Sequence, residues 1–145
     1  MPKHRNSFSQ AEWGALHVLV EHLRVRDIEA RVRAICAQFP EVTEKPSHGA
    51  PAFFVRKQFV MLWGNGHHDH EFPHLWCAAE PGAQEALVAT SKQYFRPPYV
   101  GHRGWVGVRL DGDVDWDEVA ELLEDAYRAV APARLIAQLD QQRGV

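Results

Sequence analysis

Between residues 46 and 79 the pattern turns from helical spacing to short apolar runs of strand length, which constrains the fold more than any other feature. Residues 52–55, 58–63 and 75–79 read as three strands rich in Phe, Val, Leu and Trp. Arg56 and Lys57 stand where the first two must turn. So short a connection forces antiparallel pairing, because parallel strands need a crossover of roughly a dozen residues. Residues 105–110 form a further strand, with Val106, Val108 and Leu110 on one face and Trp105, Gly107 and Arg109 on the other.

Helical patterns flank this block. Ser9 and Glu12 have capping-box spacing, and Trp13, Leu16, Val20 and Leu23 then recur as an apolar stripe expected to be buried. Asp27 reads as the N-cap of a second helix burying Ile28, Val32, Ile35, Cys36 and Phe39 and stopping at Pro40. Pro81 opens a short helix through Ala83, Leu87 and Val88. Asp115 and Glu118 repeat the capping-box spacing ahead of Val119, Leu122, Leu123, Ala126 and Val130. Pro132 starts a last helix whose inner side is Leu135, Ile136 and Leu139. Helices on both sides of grouped strands predict an α+β domain: a single antiparallel sheet with helices packed on one face. At 145 residues this is one globular unit over residues 25–145, preceded by a helical extension at 1–24.

Cys36 and Cys77 have no CxxC spacing, so reduced thiols and a cytoplasmic location are expected. The N-terminus lacks an apolar core segment and no run approaches eighteen apolar residues, so neither secretion nor a membrane partner is expected. A net charge of -3 argues against a strongly basic nucleic-acid binder. The charge is nevertheless segregated. Residues 92–110 hold Lys92, Arg96, Arg103 and Arg109 and no acid, whereas residues 111–125 hold eight acids and no base. The two runs are either opposed basic and acidic faces or two stretches of solvated surface.

Residues 94–110 combine a Pro-Pro turn, glycines, cations and aromatics, and Arg96, Tyr99, His102, Arg103, Trp105 and Arg109 form a candidate contact rim. Cations there meet phosphates and aromatics stack on bases; Trp105 either stacks or packs beneath the N-terminal helix. A second candidate is the loop at residues 64–74, where His67, His68, His70 and His74 are possible metal ligands. Their spacing matches no zinc signature and both cysteines lie elsewhere. His48 and His102 each adjoin a glycine, but neither has a carboxylate or nucleophile at a telling spacing. The serines sit in no nucleophile elbow and no Gly-rich phosphate loop precedes a helix, so a non-enzymatic protein without a cofactor is expected.

The segment His48-Gly49-Ala50-Pro51-Ala52-Phe53, the strand pair carrying Lys57 and Phe59, residues 97–106 and residues 114–119 together resemble the MmcQ/YjbR family. The resemblance spans about residues 27–139. It implies a frataxin-like, double-wing α+β domain of secretion-chaperone-like topology, with DNA as the partner and no catalytic residue set. Two alternatives remain open: a protein-interaction domain that dimerises or docks a partner through the Trp13, Leu16, Val20 and Leu23 stripe, and metal binding through the His-rich loop.

Overall fold

The computed structural model describes residues 8–144. Helix α1 (Gln10–Cys36) opens on the expected capping box: Glu12 N–H donates to Ser9 Oγ at 3.1 Å, and Ser9 N–H donates to Glu12 Oε1 at 3.0 Å. It then runs unbroken for 27 residues, correcting the two-helix reading, and the 24/25 division falls inside it. Asp27 is no cap; it accepts from Arg31 Nε one turn later at 3.1 Å. With no Gly or Pro nearby, nothing breaks the helix. Only Ile28, Val32 and Cys36 are buried. Trp13 at 52%, Leu23 at 53%, Leu16 and Val20 are exposed, so the stripe expected to be buried projects into solvent. Residues 1–7 of the proposed extension lie outside the described residues.

The sheet has strands β1 (Thr43–Ser47), β2 (Ala50–Val55), β3 (Lys57–Trp63), β4 (His74–Cys77), β5 (Tyr94–Phe95) and β6 (Val106–Arg109). Their order is β1-β2-β3-β4-β6-β5, and every neighbouring pair is antiparallel. β1, with sequence Thr-Glu-Lys-Pro-Ser, is a polar edge strand without apolar alternation, and so carries no strand signal in the sequence. The β1–β2 hairpin turns on His48 and Gly49, both at positive φ, as a two-residue turn matching the strand twist requires. Arg56 alone, at φ 63°, turns β2 into β3.

Pairing of Phe53 with Val60 and of Phe54 with Gln58 leaves Phe59 as an extra residue in β3. This bulge changes the phase of the strand, so that Phe59 meets the helix layer while Gln58 and Met61 share the opposite face. Helices α2 (Ala83–Thr90), α3 (Trp116–Val130) and α4 (Ala133–Gln142) complete the expected α+β architecture. α2 begins two residues after Pro81, with Gly82 as its cap. Asp115 Oδ1 caps α3, accepting from the Asp117 and Glu118 N–H groups at 3.1 and 3.2 Å.

α3 lies on β3 and β4. Its Tyr127 is fully buried against Phe39 and Phe59, and its hydroxyl donates to Pro40 O at 2.8 Å. Part of the acidic run is neutralised locally, because Arg128 and Arg143 both bond Glu124. Cys36 and Cys77 are buried free thiols, and burial pushes both upward, Cys77 to about 12. No helix among the described residues is long and apolar enough to cross a membrane.

Candidate functional site

With the helices on one face, the strand register decides what the other face presents. Ala52, Met61, Trp76, Gly107 and Phe95 form one continuous cross-strand row, and Trp63, His74 and Arg109 form the next. The Phe95 ring lies where a side chain on residue 107 would stand, so glycine is required there. Trp63 and Trp76 have ring centroids 5.2 Å apart, and the His67 ring lies 4.6 Å from the first and 5.4 Å from the second.

These indoles floor a cleft of about 700 Å³, within the size range of small-ligand sites. Ser47 and His48 of the β1–β2 hairpin wall one side, His67 and His68 another, and Tyr99, Arg103 and Trp105 a third. His48 at φ 51° and Tyr99 at φ 64° hold left-handed conformations that non-glycine residues rarely adopt, and both line the cleft. The segment carrying Tyr99 and Arg103 contains a 3-10 turn (Gly101–Arg103) clamped by Gln84 of α2. Gln84 Nε2 donates to Gly101 O at 2.8 Å and to Trp105 O at 2.5 Å, while its Oε1 accepts from Arg96 Nη1 at 3.3 Å. Nothing in the sequence marks Gln84; its role arises because α2 buries it against this turn.

The six-residue rim therefore divides. Tyr99, 66% exposed, and Arg103 line the cleft, with the Arg103 guanidinium 5.2 Å over the Trp105 ring. Trp105 is only 5% exposed, so it forms a wall and is not an open stacking surface. Among the described residues Arg103 pairs with no carboxylate. Arg109 is forked onto Asp111 at 3.0 and 2.8 Å and lies 3.9 Å over the Phe72 ring, outside the cleft. That hydrogen bonding holds Asp111 below the usual carboxylate range. Arg96 is bonded to Gln84 and packs against Gly101, and His102 is exposed without lining the cleft. His48 and His102 accordingly do not share one wall.

The His-rich loop divides as well. His67 and His70 pair through their backbones at 2.8 and 2.9 Å, raising His68 and Asp69 at the tip. His67 Nδ1, His68 and Asp69 offer ligand atoms within 4.8 Å of one another, the one such group among the described residues. Burial, and then the neighbouring His68, lower the His67 pKa. His70 packs against Phe95 at 4.4 Å, and His74 is fully buried beneath the sheet's aromatic cluster, so the four histidines do not converge on one ion. His74 Nδ1–H donates to Phe72 O at 2.8 Å, and burial lowers its pKa to about 4. Among the described residues Trp63 Nε1, Trp76 Nε1, His70 Nδ1 and His74 Nε2 are buried polar atoms with no partner. Each such atom costs about 1–3 kcal/mol, and all four belong to this aromatic assembly.

The YjbR family model matches residues 37–129. The chain belongs to the YjbR family. Every residue lining the cleft falls within the YjbR match, whereas the projecting half of α1 precedes it. The chain is also similar to the crystal structure of Deinococcus radiodurans protein DR2400, a DUF419-domain protein, at TM-score 0.57 and 20% identity. That alignment covers 79% of this chain and 86% of the other, and shows a shared fold. No curated protein matches the chain.

Proposed function

We propose that this YjbR-family chain is a non-catalytic binding domain whose cleft receives an unpaired nucleotide of single-stranded DNA, with the base near the tryptophan floor and a phosphate on Arg103. The observation that carries this reading is the meeting, in one cleft, of a guanidinium free of carboxylates, an exposed tyrosine ring and a floor of two indoles. Phosphate supplies the counter-charge for Arg103, and Tyr99 offers an exposed ring for stacking, worth about 1–3 kcal/mol per base. Tracking a duplex calls for several free cations along one face, yet Arg109 is neutralised by Asp111 and Arg96 lies outside the cleft lining. A non-catalytic role is favoured because, among the described residues, the cleft imidazoles have no serine or cysteine nucleophile bonded to them: His67 and His68 face the Asp69 carboxylate and His68 also meets the Tyr99 hydroxyl. The buried free thiols fit a reducing, cytoplasmic setting.

Titrating short single-stranded DNA while following tryptophan fluorescence tests this. Binding at low salt is expected to weaken with a log–log salt slope of roughly -0.7 per phosphate held. Arg103→Ala is expected to reduce affinity about tenfold, and Arg109→Ala to leave it unchanged. No fluorescence change and no shifted complex in a gel at low salt, or equal binding by Arg103→Ala, would overturn the reading.

A second reading rests on α1. Phe8, Trp13, Leu16, Val18, Leu19, Val20 and Leu23 are all exposed, and Trp13, Leu16, Val20 and Leu23 follow the 3-4-3 spacing of a helix-pairing seam. A second copy running antiparallel sets Trp13 against its Leu23 and Leu16 against its Val20, and brings Glu12 beside its Arg26. Light scattering is expected to report a dimer that Leu16→Glu combined with Leu23→Glu dissociates without unfolding. A concentration-independent monomer would remove this reading.

A further inference from the structure

We propose that His67, His68 and Asp69 form a binding site for a first-row transition-metal dication, of the zinc class, at the mouth of the cleft. The site is built by the small hairpin that the His67–His70 backbone pairing closes. Gly66 makes this hairpin possible: its φ is +84°, and a side chain there would collide with the Glu71 backbone. His67 is held rigidly, its ring packed on Trp63 and Trp76, and its Nδ1 faces Asp69; the long 3.3 Å hydrogen bond it accepts from the Asp69 N–H gives way when the same lone pair binds an ion.

The separations carry the argument. Asp69 Oδ2 lies 3.5 Å from His67 Nδ1 and 3.4 Å from His68 Nε2. Ligands bound at about 2.0–2.1 Å around a tetrahedral ion stand roughly 3.3–3.4 Å apart, so these atoms already mark two edges of such a polyhedron. Tyr99 stands beside the site. Its hydroxyl lies 3.4 Å from His68 Nε2, close enough to bond a water or ligand held in the open position of the ion. Two imidazoles and one carboxylate select zinc-class ions over magnesium or calcium, which favour all-oxygen sites. Three protein ligands leave a position open to solvent or to a ligand, and His67 and His68 both line the cleft.

Co²⁺ and Zn²⁺ titrations of untagged protein, followed by calorimetry and visible absorption without nucleotide, test the site independently of the cleft's proposed ligand. One Co²⁺ per chain is expected, with d–d bands of four- or five-coordination that Zn²⁺ abolishes. His68→Gln and Asp69→Asn should each weaken binding by at least about tenfold. Both side chains are exposed, so circular dichroism should be unchanged. His70→Gln, whose ring packs on Phe95 away from the tip, should retain wild-type affinity. Absence of the bands overturns the assignment, as does affinity unaltered by both tip variants or lost equally with His70→Gln.

Discussion

Acidification should unfold this protein earlier than its carboxylates alone require, and His74 is the reason. The imidazole is fully buried, its Nδ1–H is given to Phe72 O, and its Nε2 has no partner. Protonation creates an N–H donor without an acceptor and a charge without solvent, with His70 and His67 adding repulsion; the folded pKa falls to about 4. In the unfolded chain the same group titrates near 6.5, so between those values the unfolded state binds more protons and stability declines as pH falls. At about 1.4 kcal/mol per pH unit, the loss reaches about 2 kcal/mol at pH 5 and about 3 kcal/mol at pH 4. That is a large part of the roughly 5–15 kcal/mol available to a domain.

Carboxylates such as Asp111, held low by Arg109, also lose their contribution in acid, so a single stability profile mixes the two effects. His74→Asn separates them. Its amide N–H is placed to reach Phe72 O, it does not titrate, and its packing defect is an offset independent of pH. Urea unfolding of both proteins from pH 7 to pH 4 should show the stability difference closing by about 3 kcal/mol. A difference flat to within about 0.5 kcal/mol would mean that the imidazole is not held neutral, and the burial argument would fail.

Gly107→Ala should destabilise the domain by about 1–3 kcal/mol in urea unfolding, because the new methyl meets the Phe95 ring; Phe95→Leu in the same chain should recover part of the loss. A neutral Gly107→Ala would show that β5 is not held against β6 by this contact. Tyr127→Phe should lower stability by about 1–2 kcal/mol, since the Pro40 carbonyl loses its buried donor. Cys36 and Cys77, buried with raised thiol pKa values, should react with a thiol reagent at the rate of unfolding; fast labelling of the native protein would contradict their burial.

Much of the architecture was legible because it rests on local chemistry. Ser9 with Glu12 and Asp115 carry local capping signals, and the short apolar run at residues 58–63 with the alternation at 106–109 has one economical solution, a sheet. The errors were equally local. Asp27 has the grammar of an N-cap and also that of an i,i+4 partner for Arg31, and the neighbouring residues cannot say which applies. β1 has no signal of its own because a polar edge strand owes its existence to its partner β2.

For the site, Tyr99, Arg103 and Trp105 were legible as a group with binding chemistry, and the structure sets all three on one cleft. Which cations stay free was not legible. Arg109 and Arg103 have the same side chain six residues apart, yet one meets Asp111 and the other meets no acid. Gln84 was invisible because an amide on a short helix signals nothing until its burial against Gly101 and Trp105.

Composition, period and capping settle the α+β class, the helix starts and the antiparallel pairing, since each depends on interactions within a few residues along the chain. The cleft belongs to another level. It requires the unpaired Phe59 to shift the phase of β3, the β4 and β6 registers to align Trp76 with Gly107, and α2 to bring Gln84 to a turn 17 residues away. Such contacts are selected by the packing of the whole domain, and so the function of an arginine or a tryptophan here depends on neighbours its own segment does not name.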